Sequence, residues 1–88
     1  MLDLTIINAA KKEGKISERA LVGLRTLKTC DNWKKVIPLG LINYKTTLTN
    51  YQGILVVLDN RVYFMSKEIY EAIKKDLKWD VTKTIRVE

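Results

Sequence analysis

The stretch Cys30–Lys45, CDNWKKVIPLGLINYK, decides the fold of this chain. Its first half has apolar residues on one side at helical spacing and two adjacent lysines on the outside. Pro38 lacks an amide donor and disfavours helical geometry in the residue before it, so a helix over 29–37 is predicted to end there. After Gly40 the apolar period changes to two, which is typical of a strand. The stretch therefore predicts a short basic helix that leads into a strand.

Two more helices are predicted before this stretch. Residues 3–13 have apolar residues at helical spacing, with Asp3 as the N-cap and Gly14 as the stop. Ser17 is suited to cap a second helix, because its hydroxyl can accept a hydrogen bond from a free amide of the first turn. The buried stripe of that helix is predicted to consist of Ala20, Leu21, Leu24 and Leu27.

The residues after Pro38 predict an antiparallel meander, then a helix and a terminal strand. Asp59-Asn60 is typical of a two-residue hairpin turn, Gly53 is free to take positive φ in another turn, and Ser66 can cap the last helix. In chain order we predict a strand over 41–49, a turn over 50–53, strands over 54–58 and 61–65, a helix from 66 to about 79 and a strand over 81–87. The predicted fold class is α+β in a single domain over 1–88, with three N-terminal helices, an antiparallel three-stranded β-meander, a C-terminal helix and a short terminal strand.

Positive charge is concentrated in one part of the chain. The net charge of +6 comes from 16 basic and 10 acidic residues. Between Lys11 and Lys45 there are nine basic and three acidic residues, so this segment carries the whole excess. A localised positive field attracts polyanions, which release condensed counterions when they bind. A lysine-rich surface that only keeps a small protein hydrated is the alternative interpretation.

The composition excludes several kinds of catalytic and metal site. The chain contains no histidine, so a Ser–His or Cys–His nucleophile pair and a Cys/His zinc site are impossible. Its four glycines are scattered, so the sequence has no phosphate-binding glycine loop. We expect no enzyme activity, no catalytic or metal-binding residue, no cofactor and no small-molecule substrate.

Cysteine usage and hydropathy bear on the cellular setting. The single cysteine, Cys30, cannot form a disulfide within the chain, which favours a reducing, cytoplasmic location. No apolar run approaches the roughly 20 residues that span a bilayer, so we expect no membrane association. Residues 1–4 lack a basic start followed by an apolar stretch, so a secretory signal is not predicted.

Several short segments together resemble the winged helix-turn-helix family of small DNA-binding regulators, of the viral, plasmid or archaeal type. They are Ile16–Leu21 (ISERAL), Trp33–Ile37 (WKKVI), Leu39–Ile42 (LGLI) and, as the exit from a second wing strand into a C-terminal helix, Tyr63–Glu68 (YFMSKE). The resemblance covers residues 3 to about 79. It implies that the helix beginning at Ser17 is a support, that the helix over 29–37 reads the major groove, and that a β-hairpin forms the wing.

Eight residues are the candidate DNA contacts under this interpretation. Asn32 and Lys35 are the candidates for base edges, because Asn suits adenine and Lys suits guanine. Tyr51 and Gln52 are contacts if the wing is Asn50–Gly53, which is preferred over the alternative wing at Asp59-Asn60. Trp33 is predicted to be a core residue rather than a base-stacking one. Four basic residues are predicted to neutralise phosphates: Arg25, Lys28, Lys34 and Lys45.

Two residues depart from the family pattern. Pro38 shortens the third helix, whereas the reader helix of the family usually continues to the glycine. Asp31 lies on the proposed DNA face, where its charge would repel phosphate unless it caps the helix or accepts from a cytosine amine. The interpretation also calls for Lys34, Lys35 and Lys45 to form one basic ridge.

Two functions of different class follow from these observations. The leading prediction is a small transcription regulator that binds double-stranded DNA through helix 29–37 and a β-wing, as a homodimer formed through the C-terminal helix or strand. The alternative is a protein-interaction module or inhibitor that docks through its C-terminal helix or sheet edge. A gel shift with random-sequence duplex at low salt separates the two. The target sequence and the sign of regulation are left open.

Overall fold

A four-stranded mixed sheet lies at the centre of the molecule and is covered on both faces. The computed structural model describes residues 2–88. The elements are helices α1 (Leu2–Glu13), α2 (Glu18–Val22) and α3 (Lys67–Leu77) and strands β1 (Lys15–Ile16), β2 (Arg25–Thr26), β3 (Ile37–Lys45), β4 (Asn50–Leu58), β5 (Arg61–Ser66) and β6 (Arg86–Val87). The main sheet has the order β2–β5–β4–β3, with β2 parallel to β5 and the other pairs antiparallel, and a small parallel sheet joins β1 to β6. The fold class is therefore α+β, as predicted.

The two faces of the main sheet carry separate hydrophobic cores. On one face α1 and α2 pack on the sheet through residues that include Ile6, Leu21 and Leu55. On the other face α3 and the connection over 27–36 pack on residues that include Ile54 and Val56. Because both faces of β4 are buried, its apolar residues run without interruption from 54 to 58. Within residues 2–88 no helix is long and apolar enough to cross a membrane.

Several predicted boundaries are confirmed. The helix α1 ends before Gly14, whose φ is +65°. The side chains of Ser17 and Ser66 each accept a hydrogen bond from the amide three residues further on, at 3.1 and 3.5 Å, and so cap α2 and α3. Asp59 and Asn60 have φ values of 51° and 64°, the positive values that a two-residue hairpin turn requires.

Asp3 has a different role from the predicted one. The helix α1 already includes Leu2, so Asp3 belongs to the first helical turn and is not its N-cap. The Asp3 Oδ2 atom accepts a hydrogen bond from the Val62 amide at 3.3 Å. This contact ties the start of α1 to the start of β5.

The prediction of a helix over 29–37 is wrong. Only Trp33–Lys35 forms a single turn of 3₁₀-helix. Asn32 Oδ1 accepts a hydrogen bond from the Lys34 amide at 3.1 Å, so the side chain competes with helical backbone bonds. The residues that follow are β-branched and precede Pro38, which favours extended backbone, and β3 begins there. The predicted pair of helices, one supporting and one reading, is therefore not formed.

The helix α2 is shorter than predicted. It ends at Val22, and Gly23 is its C-cap. The next residues form β2, which pairs in parallel with Tyr63–Phe64 of β5. Leu27, predicted to lie in the buried stripe of this helix, instead packs in the core on the α3 face of the sheet. Pairing with a distant strand thus overrides the local helical pattern.

The turn of the β3–β4 hairpin lies at 46–49, whereas the sequence predicted it at 50–53. The Thr46 side chain fixes the turn, because its Oγ1 accepts hydrogen bonds from two amides of the turn at 3.2 and 2.9 Å. Gly53 lies inside β4 without a positive φ. A Cβ atom at this position would overlap the Met65 carbonyl of β5. Gly53 therefore marks a close approach of two strands, not a turn.

The terminal strand is shorter than the predicted 81–87 and pairs within the chain. β6 is parallel to β1, and Thr84 forms a parallel bridge to Leu41 at the edge of β3. The terminal strand, predicted as one of two possible surfaces for a homodimer, thus pairs inside the molecule. Because β1 and β2 were not predicted, the described part of the chain has six strands where the sequence predicted four.

Candidate nucleic-acid interface

The β3–β4 hairpin extends beyond the rest of the main sheet. The last pair between β4 and β5 is Gly53 with Ser66. The hairpin continues past it through three more cross-strand pairs and a turn. We call residues 43–52 the hairpin arm. Its pairs are Asn43 with Gln52, Tyr44 with Tyr51 and Lys45 with Asn50.

Two tyrosines anchor the inner side of the hairpin arm to the body of the protein. The Tyr44 hydroxyl donates a hydrogen bond to Glu18 Oε2 at 2.8 Å. This bond to a carboxylate, with partial desolvation and the charge of Glu18, raises the pKa of Tyr44. The Tyr51 ring packs edge-to-face on Phe64, with ring centroids 5.4 Å apart and planes at 83°. Tyr51, a predicted wing contact, therefore faces the core.

The outer side of the hairpin arm is polar and carries no acidic residue. Side chains alternate along a strand, so Asn43, Lys45, Asn50 and Gln52 lie on the side opposite the tyrosines. All four are exposed. The whole hairpin from 37 to 58 contains no Asp or Glu, and Lys45 is its one charged residue. Two of the predicted contacts, Lys45 and Gln52, thus lie on a side of the arm without acidic residues, although Lys67 and Glu71 of α3 line the same groove as Asn43 and Gln52.

The tip of the hairpin arm presents a leucine to solvent. Leu48 is 95% exposed. The turn around it is held by the Thr46 side chain and by a backbone bond from the Thr46 amide to the Thr49 carbonyl at 2.8 Å. The exposure of Leu48 is therefore a property of a hydrogen-bonded turn. Sequence analysis missed this residue because it placed 41–49 in a strand, although an apolar residue among threonines was the available signal.

The segment over 29–35 forms a second exposed group near the Asp59-Asn60 turn. It lies against Leu58 and Asp59, at the other end of β4 from the hairpin arm. Lys34 and Lys35 are exposed, as is Lys28 in the preceding connection. Asn32 is exposed, but its Oδ1 is engaged by the Lys34 amide. Trp33 is half-buried in the core on the α3 face, as predicted.

The predicted contacts do not form one ridge. Ile37, at the start of β3, pairs with Val57, whereas Lys45, at its end, pairs with Asn50. A strand of that length separates its ends by roughly 25 Å, at about 3.3 Å per residue. Lys34 and Lys35 therefore lie far from Lys45, and the single basic ridge expected for the reader and wing is absent.

Arg25 belongs to a third group. It lines a cleft at the β2 edge of the main sheet together with Arg19 and Arg61. Sequence analysis did not connect these three arginines, because they come from α2, β2 and β5 and have no common spacing. The parallel pairing of β2 with β5 brings Arg25 near Arg61, and the short connection from α2 to β2 places Arg19 in the same cleft.

Comparisons of the chain with family models, with curated proteins and with solved structures return no match. The resemblance to winged helix-turn-helix regulators therefore stays a prediction.

Proposed function

We propose that this chain is a DNA-binding protein that contacts the duplex with its hairpin arm. The observation that carries the proposal is an acid-free hairpin that extends beyond the sheet, with lysine and amide side chains on one side and an exposed leucine at its tip. A role in transcription and a cytoplasmic location are parts of the proposal that rest on the sequence alone.

The composition of the arm suits the minor groove. Proteins that bind there use Arg, Lys, Asn and Gln to contact base edges, and they often insert an apolar side chain between base steps. On the hairpin arm Lys45, Asn50 and Gln52 supply the polar contacts and Leu48 supplies the wedge. Inserting the wedge unstacks one step and bends the duplex, and burial of the leucine together with the further contacts that the bend permits outweighs that cost.

In a winged-helix arrangement the hairpin arm corresponds to the wing. The 29–35 segment then acts through the charges of Lys34 and Lys35, which attract the duplex at a distance, and not through a helix in the major groove. This predicts low sequence discrimination, because phosphate contacts and a wedge carry little base information.

Substitution of Leu48 by serine tests the proposal. Burying a leucine is worth about 1.5–3 kcal/mol, so Leu48→Ser is expected to weaken binding to a random-sequence duplex roughly tenfold or more and to abolish bending. Fluorescence anisotropy measures the affinity, and energy transfer between end labels measures the bend. Thermal stability should be unchanged, because the side chain is already in water.

Leu4→Ser is the matched control. Leu4 is 56% exposed on α1 and lies beside Asn60, at the opposite end of β4 from the hairpin arm, so its replacement should leave affinity and bending as in the native chain. Equal affinity of native and Leu48→Ser proteins would contradict the wedge. If no duplex binding is found at micromolar protein and low salt, the protein-interaction module is the better account, with Leu48 as an apolar docking residue.

A further inference from the structure

Three arginines from separate segments meet at one cleft, which we call the arginine cleft. Arg19 comes from α2, Arg25 from β2 and Arg61 from the first position of β5. The cleft encloses about 230 Å³ and lies at the β2 edge of the main sheet. Pockets that bind drug-sized molecules enclose roughly 300–1,000 Å³. The arginine cleft therefore suits a small group.

The three guanidinium groups have no carboxylate partner within residues 2–88. The ion pairs of this part of the chain use Lys15, Lys67 and Arg86 as cations. Asp3 also lines the arginine cleft, but its Oδ2 accepts the hydrogen bond from the Val62 amide. Three positive charges and one negative charge leave an excess of two, which a phosphate monoester dianion would balance.

Arginine, and not lysine, is concentrated at this place. The chain has 12 lysines and four arginines, and three of the four arginines line the arginine cleft. A guanidinium group presents paired N–H donors that match two phosphate oxygens, whereas an ammonium acts as a point charge. All three arginines are exposed, and a phosphate bound among them would neutralise like charges carried by neighbouring segments.

The surroundings of the cleft strengthen such binding. Ile6 and Val62 line it and are each 4% exposed, so one wall is apolar. Charge-assisted hydrogen bonds are stronger where water is partly excluded. The three arginines are also carried by two paired strands and a capped helix, which hold the positions of their backbones.

We propose that the arginine cleft binds a phosphate group with two free charges. Inorganic phosphate, a nucleoside monophosphate and the terminal phosphate of a nucleic acid share this chemistry. The site is distinct from the hairpin arm, because Arg61 pairs with Leu58, at the opposite end of β4 from Asn50. Its test is therefore independent of the test of the proposed function.

Nuclear magnetic resonance of the arginine side chains tests the proposal in the full chain. Inorganic phosphate, adenosine monophosphate, and a short oligonucleotide with a 5′-phosphate or a 5′-hydroxyl are titrated at constant ionic strength set with chloride. Saturable shifts are expected at the Nε–H groups of Arg19, Arg25 and Arg61, and none at Arg86, which is bound to Glu88 at 3.0 and 3.2 Å. Uniform shifts at all four arginines, or no shift with any ligand, would overturn the proposal.

Charge-conserving variants distinguish a site that needs the paired N–H donors of arginine from attraction by positive charge alone. Arg25→Lys and Arg61→Lys keep the charge but lose the paired donors, so each is expected to weaken phosphate binding roughly tenfold. Arg86→Lys, the control, should bind as the native chain does. Equal binding by all three variants would refute the site, and circular dichroism of each variant checks that it is folded.

Comparison of the titrated ligands identifies which kind of phosphate the cleft binds. Tighter binding of the 5′-phosphate oligonucleotide than of its 5′-hydroxyl form assigns the cleft to nucleic-acid ends. Equal binding of the two forms together with saturable binding of inorganic phosphate or of the monophosphate assigns it to small phosphates. Both outcomes support the site, and binding of the two oligonucleotides alone, without a difference between them, counts against it.

Discussion

Gly53 shows how one hydrogen atom in place of a side chain sets the distance between two strands. A Cβ atom there would overlap the Met65 carbonyl and would lie 3.0 Å from the Lys67 amide nitrogen. Both groups are backbone, so neither can rotate away as a side chain could. The position decides whether β4 and β5 can pair closely enough for α3 to begin directly after β5.

We expect Gly53→Ala to destabilise the fold by about 3 kcal/mol, at the upper end of the usual range for overpacking, because two strands have to separate. Thermal or urea unfolding measures the change. Gly23→Ala is the matched control: its nearest contacts would lie at 3.6 and 3.7 Å, which is ordinary packing, so its stability should stay within about 1 kcal/mol of native. Equal effects at the two positions would show that the close approach at Gly53 is not a constraint.

At the scale of the element, the hairpin arm combines a fixed inner side with a free outer side. The bond from Tyr44 to Glu18 and the packing of Tyr51 on Phe64 hold it to the body. Its lysine and amides are left exposed. Because these contacts position the arm before any ligand binds, little conformational freedom would be lost on binding.

The salt dependence of DNA binding tests the arm as an element. Each phosphate neutralised adds about 0.9 to the slope of log K against log salt, so Lys45→Gln should lower the slope by about that amount on every duplex sequence. Lys75→Gln makes the same charge change on the exposed side of α3 and should leave the slope unaltered. The arm is not the contact surface if the two variants have the same slope.

Elements with strong local signals were predictable, and those that depend on distant partners were not. Neighbouring residues were enough to predict three elements: the cap at Ser66, the turn at Asp59-Asn60 and the buried strand over 54–58. The strand β2 has only two residues and exists because β5 lies beside it. The same is true of β1, whereas β6 lies inside the strand predicted over 81–87 and only its pairing with β1 was not predicted.

The predicted contacts over 29–37 do not lie on one helix, because that helix is not formed. Residues 33–37 have an amphipathic spacing, but the stretch before them hydrogen-bonds locally and the stretch after them pairs with β4, so too few residues remain for a helix. Lys45, chosen for its charge, and Gln52, chosen from a predicted turn over 50–53, are both exposed on the hairpin arm. The arginine cleft had no sequence signal, because the three segments that form it meet only in the folded chain.

At the scale of the whole molecule, residues 83–88 hold three separate elements together. Leu41 of β3 donates to and accepts from the 83–85 segment, with N···O distances of 2.8 Å, and Ile85 beside it is 2% exposed. The segment then continues into β6 beside β1. The Lys83 ammonium also donates to the Lys11 carbonyl at the end of α1, at 2.8 Å. This single terminal segment thus joins the edge of β3, the short strand β1 and the end of α1.

The contacts of Glu88 make the stability contributed by this terminal segment depend on pH. The Glu88 carboxylate accepts hydrogen bonds from Arg86, and with the charge of Lys15 this lowers the pKa of Glu88 despite partial desolvation. A carboxyl group with a lower pKa when folded stabilises the protein above its unfolded pKa, and that contribution is lost as the pH falls through the folded pKa. We expect a small loss of stability in this acidic range.

Thermal unfolding between neutral pH and pH 3 measures the effect, and Glu88→Gln should flatten part of the dependence. Glu68→Gln, a change at an exposed position of α3 with no ion pair to the terminal segment, should retain the native profile. A native profile in Glu88→Gln would show that the Arg86 and Lys15 contacts do not contribute.

The pairing of β1 with β6 also has a consequence for how the protein is made. Lys15 and Ile16 leave the ribosome before their partners Arg86 and Val87, which are added about seventy residues later. Contacts between residues so far apart in the chain are costly to close and slow folding. During synthesis β1 therefore has no strand to pair with. The domain is complete only after residue 87 has emerged from the exit tunnel.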